Sequence, residues 1–272
     1  MSGAGAQIEI RSREAGGWEL REAAGLPADA PAALLLPGGL CSAVFYDDVV
    51  ACAARLKSPV RVVAVTPPGF VGRPAPADPT VESFAGLASG LAAELGCRAV
   101  AGHSYGANIA IEMAAGGRFA GPLVLASPSF SRRDEFRALA VIDRLGTVPG
   151  LGTLLWKRVP RVSARALRAS LAREELVDEI RRNDGLVCRR LVREYFRSLD
   201  RGGLAERLRD AGVRAWIVFG DHDEVGLTAA EREVLTGTDP ITLEVVPGAT
   251  HFVITEQPER IAGLIAQAVA GA

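Results

Sequence analysis

The sequence Gly102-His103-Ser104-Tyr105-Gly106 carries the strongest structural signal in this chain. It follows a short apolar run at residues 98–101 and precedes a helical pattern at residues 107–115. A serine between two glycines, with a strand before it and a helix after it, is typical of a sharp turn that presents a nucleophile at the edge of a parallel sheet. The glycines are needed because neighbouring backbone leaves no room for a Cβ atom. The pattern predicts a nucleophilic Ser104; the alternative is an ordinary serine turn in a chain with 30 glycines.

A candidate general base lies late in the chain. The protein has three histidines, and His251 follows an apolar run at residues 241–246 and a Pro-Gly turn. A general base must accept the serine proton and later return it to the leaving group. His103 adjoins Ser104 and is expected to point away from it, and His222 lies between acids and is expected at the surface or in a supporting position behind the site residues. His251 is therefore the predicted base, with a core or capping histidine as the alternative.

Two acids follow the strand that the apolar run at residues 215–219 predicts. Asp221 and Asp223 are both candidates to orient His251 and to stabilise its imidazolium form. Whichever of them does not contact the histidine is expected to bond local backbone N–H groups in a turn. In either case the order in the chain is serine, aspartate, histidine, which suits a nucleophile on a strand-to-helix turn.

A glycine-rich loop, Pro37-Gly38-Gly39-Leu40, follows the apolar run at residues 32–36. Such a loop can direct a backbone N–H at a negatively charged oxygen that develops during the reaction. The N–H groups of Gly39 and of Tyr105, the residue after the nucleophile, are the predicted oxyanion pair. The alternative is a tight turn without a catalytic role.

The order of apolar runs and helical patterns predicts an α/β fold. Two short alternating segments at residues 7–11 and 18–22 indicate an antiparallel hairpin at the edge of a sheet. Six compact apolar runs indicate strands that are buried on both faces, and helices between them imply parallel neighbours. The runs are residues 32–36, 61–65, 98–101, 123–126, 215–219 and 241–246, and the helices are residues 45–56, 81–95, 107–115 and 258–270.

The alternation stops between residues 131 and 210. There the pattern predicts helices at residues 133–145, 164–182 and 186–199, with a Gly/Pro-rich apolar loop at residues 146–156. A helical insertion between two strands is a natural cap over a site. We therefore expect a core of residues 1–130 and 211–272 and a cap of residues 131–210. The cap carries 18 arginines and one lysine against 12 acids, which makes it basic.

Composition limits the function classes. The 272 residues are 49% hydrophobic, enough for a large core, and the net charge of −1 gives no general reason to expect nucleic-acid binding. Four scattered cysteines and three histidines lack metal-ligand spacing, and phosphate-binding glycine motifs are missing from the sequence, so we expect no metal and no cofactor. We expect no signal peptide and no membrane span, and a cytoplasmic protein by default.

These motifs together resemble the α/β-hydrolase superfamily over nearly the whole chain. The resemblance implies a mostly parallel eight-stranded sheet with a helical cap after the sixth strand, and it favours Asp223 over Asp221 as the acid. Pro37 stands where the family usually has histidine, which leaves the geometry of the oxyanion loop open. A serine at position 104 argues against the epoxide-hydrolase and dehalogenase branches, which use aspartate there.

Residues 63–70, followed by Arg73-Pro74, are similar to a segment of thioesterases from polyketide and peptide assembly lines. The basic cap would suit such a role, because acyl carrier proteins are acidic and complementary charge speeds encounter. The alternative is that the arginines lie on solvated helix faces, where they balance the acids of the same segment.

The sequence thus predicts a serine hydrolase that cleaves a carboxylic ester or thioester through Ser104, His251 and Asp223. Leu40, Phe45 and Trp156 are expected to line an apolar substrate pocket. Other functions use the same scaffold: a thioesterase for carrier-bound acyl chains, a cofactor-free perhydrolase or haloperoxidase, a C–C bond hydrolase, or a non-catalytic ligand receptor. The oligomeric state does not follow from the sequence.

Overall fold

A single sheet of eight strands organises the described part of the chain. The computed structural model describes residues 8–27, 29–171, 173–237 and 239–272. The strands are β1 Ile10–Ala15, β2 Trp18–Ala23, β3 Ala32–Leu36, β4 Arg61–Thr66, β5 Cys97–His103, β6 Leu123–Ala126, β7 Ala215–Gly220 and β8 Ile241–Val246. They lie in the order β1-β2-β4-β3-β5-β6-β7-β8, and β2 is antiparallel to both β1 and β4. All other neighbours are parallel, so the predicted mostly parallel eight-stranded sheet is confirmed.

The central strands are buried on both faces, as their continuous apolar sequences require. Successive residues of β3 therefore enter different cores: Leu34 packs with one hydrophobic cluster and Leu35 with the other. Helices α1 Asp47–Ala54, α11 Val253–Glu256 and α12 Pro258–Ala270 contribute to the second cluster. Helices that cover the other face are α2 Val81–Glu94, α3 Tyr105–Ala115, α9 Leu204–Asp210 and α10 Ala229–Thr236.

The edge hairpin extends further along the chain than the sequence pattern suggests. The predicted first strand, residues 7–11, begins at Gln7, which lies outside the described residues, and β1 continues to Ala15. The reason is the turn: Gly16 and Gly17 have φ angles of 56° and 84°, and Ala15 pairs directly with Trp18. Two glycines with positive φ match the right-handed twist of a hairpin, so the turn fixes where the strands end.

Helices occupy the chain between β6 and β7. These are α4 Arg137–Gly146, α5 Leu151–Trp156, α6 Val159–Leu167, α7 Glu174–Arg181 and α8 Gly185–Asp200, followed by α9. The predicted loop at residues 146–156 contains α5, and the single helix predicted at residues 164–182 is interrupted. Arg173 is extended at the start of α7, and Ala172 lies outside the described residues.

Helix α5, which the glycine-rich sequence did not predict, packs closely against neighbouring backbone around Trp156. A Cβ atom at Gly152 would collide with the carbonyl of Gly146, and one at Gly185 would collide with the carbonyl of Trp156. The glycines here permit contact between helices instead of forming an open loop. None of the helices in the described residues is long and apolar enough to cross a membrane.

Candidate active site

Ser104 lies on a strained turn at the carboxyl end of β5. Its backbone has φ 49° and ψ −118°, and its N–H donates a 2.8 Å hydrogen bond to the carbonyl of Ala126 at the end of β6. Neither flanking position has room for a Cβ atom, so both must be glycine. A Cβ atom at Gly102 would collide with the carbonyl of Gly106, and one at Gly106 would collide with the carbonyl of Leu36. The turn therefore holds Ser104 in a conformation that L-residues rarely adopt.

His251 and Asp223 meet at the neighbouring strand ends. Nδ1 of His251 lies 3.0 Å from Oδ1 of Asp223, whose side chain is 1% exposed. The same Oδ1 accepts a 2.9 Å hydrogen bond from the N–H of Val225. Burial by itself raises the pKa of Asp223, but the bonds from His251, Ser127 and Val225 and the charge of His251 outweigh it, so the pKa lies below its usual value. An ionised Asp223 keeps a proton on Nδ1 and leaves Nε2 of His251 as the acceptor.

Asp221 makes different contacts from Asp223. Its Oδ1 accepts a 2.7 Å hydrogen bond from the N–H of Gly248, so it ties the turn after β7 to the turn after β8. His222 projects outward with 70% of its side chain exposed, 3.8 Å from Asp221. Of the two candidate acids, Asp223 is therefore the one that contacts His251.

Ser104 and His251 line the same cavity. Among the described residues, neither Ser104 Oγ nor Nε2 of His251 has a hydrogen-bond partner. The edge of the Phe136 ring packs on the imidazole, with 4.7 Å between ring centroids. Catalytic hydrogen bonds are often long before substrate binds, and proton transfer requires the two side chains to come within hydrogen-bond distance.

His103 connects the loops around the site. Its Nε2 lies 2.9 Å from the backbone carbonyl of His251, which can only accept, so Nε2 carries the proton. Its Nδ1 then accepts from the hydroxyl of Tyr46 at 3.1 Å, and this hydroxyl accepts from the N–H of Gly38 at 2.8 Å. Burial, then the charge of His251, lowers the pKa of His103 to about 3. Neutral His103 thus joins the loop after β3 to the loop that carries His251.

The predicted oxyanion donors have free N–H groups. Tyr105 opens α3, so its N–H has no acceptor within the helix. In the loop after β3, the N–H of Gly38 is used by Tyr46, whereas the hydrogen bonds of the described residues include none donated by Gly39 or Leu40. A Cβ atom at Gly38 would come within 2.8 Å of His103 Nδ1, which explains why a glycine follows Pro37 in this loop.

Asn183, at the junction of α7 and α8, fixes two strained loops. Its Nδ2 donates to the carbonyl of Leu40 at 2.9 Å, and its Oδ1 accepts from the N–H of Val71 at 2.9 Å. Leu40 and Val71 have φ angles of 66° and 49°, which are costly for large side chains. Sequence analysis missed Asn183, because Asn-Asp-Gly at residues 183–185 indicates only a turn.

The cavity has a volume of about 330 Å³ and mostly apolar walls. Leu40 and Trp156 line it as expected, whereas Phe45 is not among its described lining residues and packs in the core with 1% exposure. Sequence analysis did not single out Glu135 or Tyr195, which also line it. The helices between β6 and β7 supply one wall, including Leu139, Ile142, Val159, Leu191 and Val192.

Cys41 is a thiol that lines the cavity. Burial raises the pKa of the Cys41 thiol to about 12, so this cysteine remains protonated beside the cavity. Within the described ranges, no group of three or more His, Cys, Asp or Glu side chains could hold a metal ion.

The model of the Alpha/beta hydrolase family matches residues 33–264. The N-acyl homoserine lactonase AidH, in complex with N-butanoyl homoserine, is a similar solved structure with a TM-score of 0.69 and 20% identity, covering 96% of each chain. A search of curated proteins finds no match.

Two further solved structures are similar. The carboxylesterase CesB (YbfK) from Bacillus subtilis has a TM-score of 0.63 and 21% identity, over 98% of this chain and 93% of its own. The thioesterase domain from the curacin biosynthetic pathway has a TM-score of 0.67 and 18% identity, over 96% and 99%. Similarity at this identity shows the fold, and the family match over most of the chain supports a hydrolytic enzyme. The chain therefore belongs to the alpha/beta hydrolase family.

Proposed function

We propose that this protein cleaves a carboxylic ester or thioester through a Ser104–His251–Asp223 triad and an acyl-enzyme. The observation that carries the proposal is the 3.0 Å contact of Asp223 with His251, because it leaves Nε2 free in the cavity that Ser104 also lines. An oriented histidine beside a serine on a strained turn is the arrangement that activates a hydroxyl nucleophile.

In the proposed reaction, Ser104 Oγ attacks the acyl carbonyl while Nε2 of His251 takes its proton. Asp223 stabilises the imidazolium that forms. The N–H groups of Gly39 and Tyr105 bind the oxyanion of the tetrahedral intermediate. When the intermediate collapses, His251 protonates the leaving alcohol or thiol and the acyl group stays on Ser104. Water, deprotonated by His251, then attacks the ester. As the second intermediate collapses to the acid, His251 gives this proton to Ser104 Oγ, which restores the free enzyme.

The acyl group is proposed to occupy the cavity, where Leu40 and Trp156 supply apolar contacts. Apolar walls favour an acyl chain through the transfer of its methylene groups from water, at about 0.8 kcal/mol each. The helices between β6 and β7 would act as the cap, with residues 131–210 as its bounds and residues 1–130 and 211–272 as the core. Because the cap provides one wall of the cavity, its sequence would determine which acyl chains fit.

A carrier-bound thioester is a second candidate substrate, favoured by the charge of the outer surface. Residues 137–167, which contain helices α4 to α6, carry six cationic residues without an ion-pair partner in the described part of the chain: Arg137, Arg144, Lys157, Arg158, Arg161 and Arg165. The acid among these helices, Asp143, pairs with Arg132. An acidic acyl carrier protein would complement this surface.

Turnover assays test both substrates. We expect hydrolysis of p-nitrophenyl esters of two to ten carbons and of the matching acyl thioesters, and we expect both activities to be lost in Ser104→Ala. Activity that persists in Ser104→Ala would contradict the proposed function. A carrier-bound substrate should lose rate as salt rises from 50 to 500 mM, whereas a rate insensitive to salt would contradict the carrier partner.

A further inference from the structure

The acyl cavity contains one carboxylate that the proposed reaction does not use. Glu135, two residues before α4, is 7% exposed and lines the cavity. The other described lining residues include no acid, lysine or arginine. No cation lies within ion-pair distance of Glu135 in the part of the chain that the structure describes. Burying a carboxylate in apolar surroundings costs folding free energy unless hydrogen-bond donors satisfy its oxygens. The hydrogen bonds of Glu135 therefore show which of its oxygens is satisfied.

Glu135 is oriented by three hydrogen bonds. Its Oε2 accepts from the hydroxyl of Tyr195 at 2.7 Å and from the hydroxyl of Ser129 at 3.2 Å. Its Oε1 accepts from the N–H of Phe136 at 2.9 Å. A carboxylate has about four acceptor positions, so the two oxygens are not equivalent: Oε2 is fully used, and Oε1 retains an acceptor position.

The neighbours of Glu135 place it close to the reacting centre. Phe136, the next residue, packs its ring on the imidazole of His251. Tyr195, which donates to Glu135, packs its ring against Tyr105 with 5.4 Å between centroids. Glu135 therefore adjoins two residues that contact the reacting groups: Phe136 contacts the proposed base, and Tyr195 contacts the proposed oxyanion residue Tyr105.

We propose that Oε1 of Glu135 binds a neutral hydrogen-bond donor on the substrate, an amide N–H or a hydroxyl. The inference rests on the proposed function and narrows it to acyl esters or thioesters that carry such a group near the carbonyl. A neutral donor fits better than an ammonium, because an ammonium brings three donors and a full charge. One remaining acceptor among apolar walls would leave that ammonium poorly solvated.

A matched series of substrates tests the proposal. p-Nitrophenyl hexanoate is compared with its hydroxy derivatives at carbons 2 and 3, which do not cyclise to a lactone, with the corresponding methoxy derivatives, and with the p-nitrophenyl ester of N-butanoylglycine. We expect at least one hydroxy or amide ester to exceed the parent in kcat/KM by about tenfold or more, the effect of a hydrogen bond to a charged group. The methoxy derivative at the same carbon should show no such gain, because it has similar polarity but no donor.

Two variants assign the effect to the carboxylate. In Glu135→Met, which has similar length but no oxygen acceptor, the ratio of kcat/KM for donor ester and parent should fall to about one. In Glu135→Gln the amide oxygen is a weaker acceptor, so the ratio should be intermediate, and this variant decides the question if Glu135→Met does not fold. A ratio near one for every derivative with the wild-type protein, or a tenfold ratio that persists in both variants, would overturn the inference. Absence of turnover even for the parent ester would instead contradict the proposed function.

Discussion

Asn183 fixes the backbone of Leu40, because its Nδ2 donates a 2.9 Å hydrogen bond to the carbonyl oxygen of a leucine whose φ angle is 66°. The two residues are 143 positions apart in the chain. Leu40 follows Gly39 in the proposed oxyanion loop, and Asn183 belongs to the helical segment that supplies one wall of the cavity. The position of the oxyanion loop therefore depends on the packing of this segment.

Replacing Asn183 should lower kcat, which depends on the oxyanion loop, more than it changes KM. In Asn183→Ala the carbonyl of Leu40 and the N–H of Val71 lose their partner, at a cost in stability of about 1–3 kcal/mol. We expect kcat to fall about tenfold or more, with a smaller change in KM, in steady-state ester hydrolysis. Asp184→Ala is the matched control, because it removes the N-cap of α8, at a cost of about 1 kcal/mol, without touching either loop. Equal losses of kcat in both variants would mean that stability alone explains the effect.

The two aspartates after β7 should differ sharply. Asp223→Asn presents the wrong tautomer of His251 and should lower kcat by a factor on the order of 10⁴. Asp221→Asn retains an oxygen that can accept from Gly248 and should change kcat less than threefold. Initial rates of ester hydrolysis with the two variants, measured side by side, decide the assignment; a large loss in Asp221→Asn alone would reverse it.

His103 should make the fold sensitive to mild acid. Its folded pKa of about 3 lies below the unfolded value near 6.5, so the unfolded chain binds more protons between these values and stability decreases as pH falls. The loss should be about 2 kcal/mol at pH 5. Asp223, whose pKa is also lowered, acts in the same direction at lower pH, below its usual value. Urea unfolding between pH 7.5 and 4.5 measures the slope.

The variant His103→Asn separates this effect from general acid lability. It should be less stable than the wild type at pH 7.5, since the bonds with Tyr46 and the carbonyl of His251 are changed, but its stability should vary less with pH. An equally steep loss of stability in the variant would show that another group is responsible.

The serine turn should reject even one methyl group. Gly106→Ala forces a Cβ atom onto the carbonyl of Leu36 and should cost about 3 kcal/mol. Gly90→Ala is the matched control: it lies inside α2 with open space around its Cβ position and should gain about 0.5–1 kcal/mol. Thermal unfolding of both variants checks the prediction, and a Gly106→Ala protein as stable as the wild type would contradict the packing described for the turn.

Much of the fold follows from local sequence. The inner strands β3 to β7 are mainly apolar runs because both faces of the sheet are covered there. Residues 241–246 were also expected to be buried on both faces, but β8 is the edge strand and most of its residues are half-buried or exposed. The strands at residues 32–36, 123–126 and 241–246 were predicted with the observed bounds. The candidate site follows in part for the same reason, since Ser104, Asp223 and His251 each stand just after such a strand. Parallel strands bring their carboxyl ends to one edge, so separate motifs predict a common site.

The features that the sequence did not predict depend on contacts between distant segments of the chain. Helix α5 lies within a Gly/Pro-rich sequence and packs against the start of α8: a Cβ atom at Gly185 would collide with the carbonyl of Trp156, and no local pattern reveals that contact. Asn183 and Glu135 resemble ordinary surface residues in the sequence and become informative only through their partners Leu40 and Tyr195. Phe45 was expected in the pocket as an apolar residue, yet it is buried in the core cluster that also contains Val49 and Val50 of α1.

Covalent labelling by a fluorophosphonate tests the central claim most directly, because the reagent reacts with a serine that a neighbouring histidine activates. Intact-protein and peptide mass spectrometry should find one adduct, on Ser104. The adduct should be absent in Ser104→Ala and should form at least a hundredfold more slowly in His251→Ala, while Cys41→Ala should label as the wild type does. A folded protein that hydrolyses esters yet carries no adduct on Ser104, or that is labelled equally fast without His251, would contradict the account.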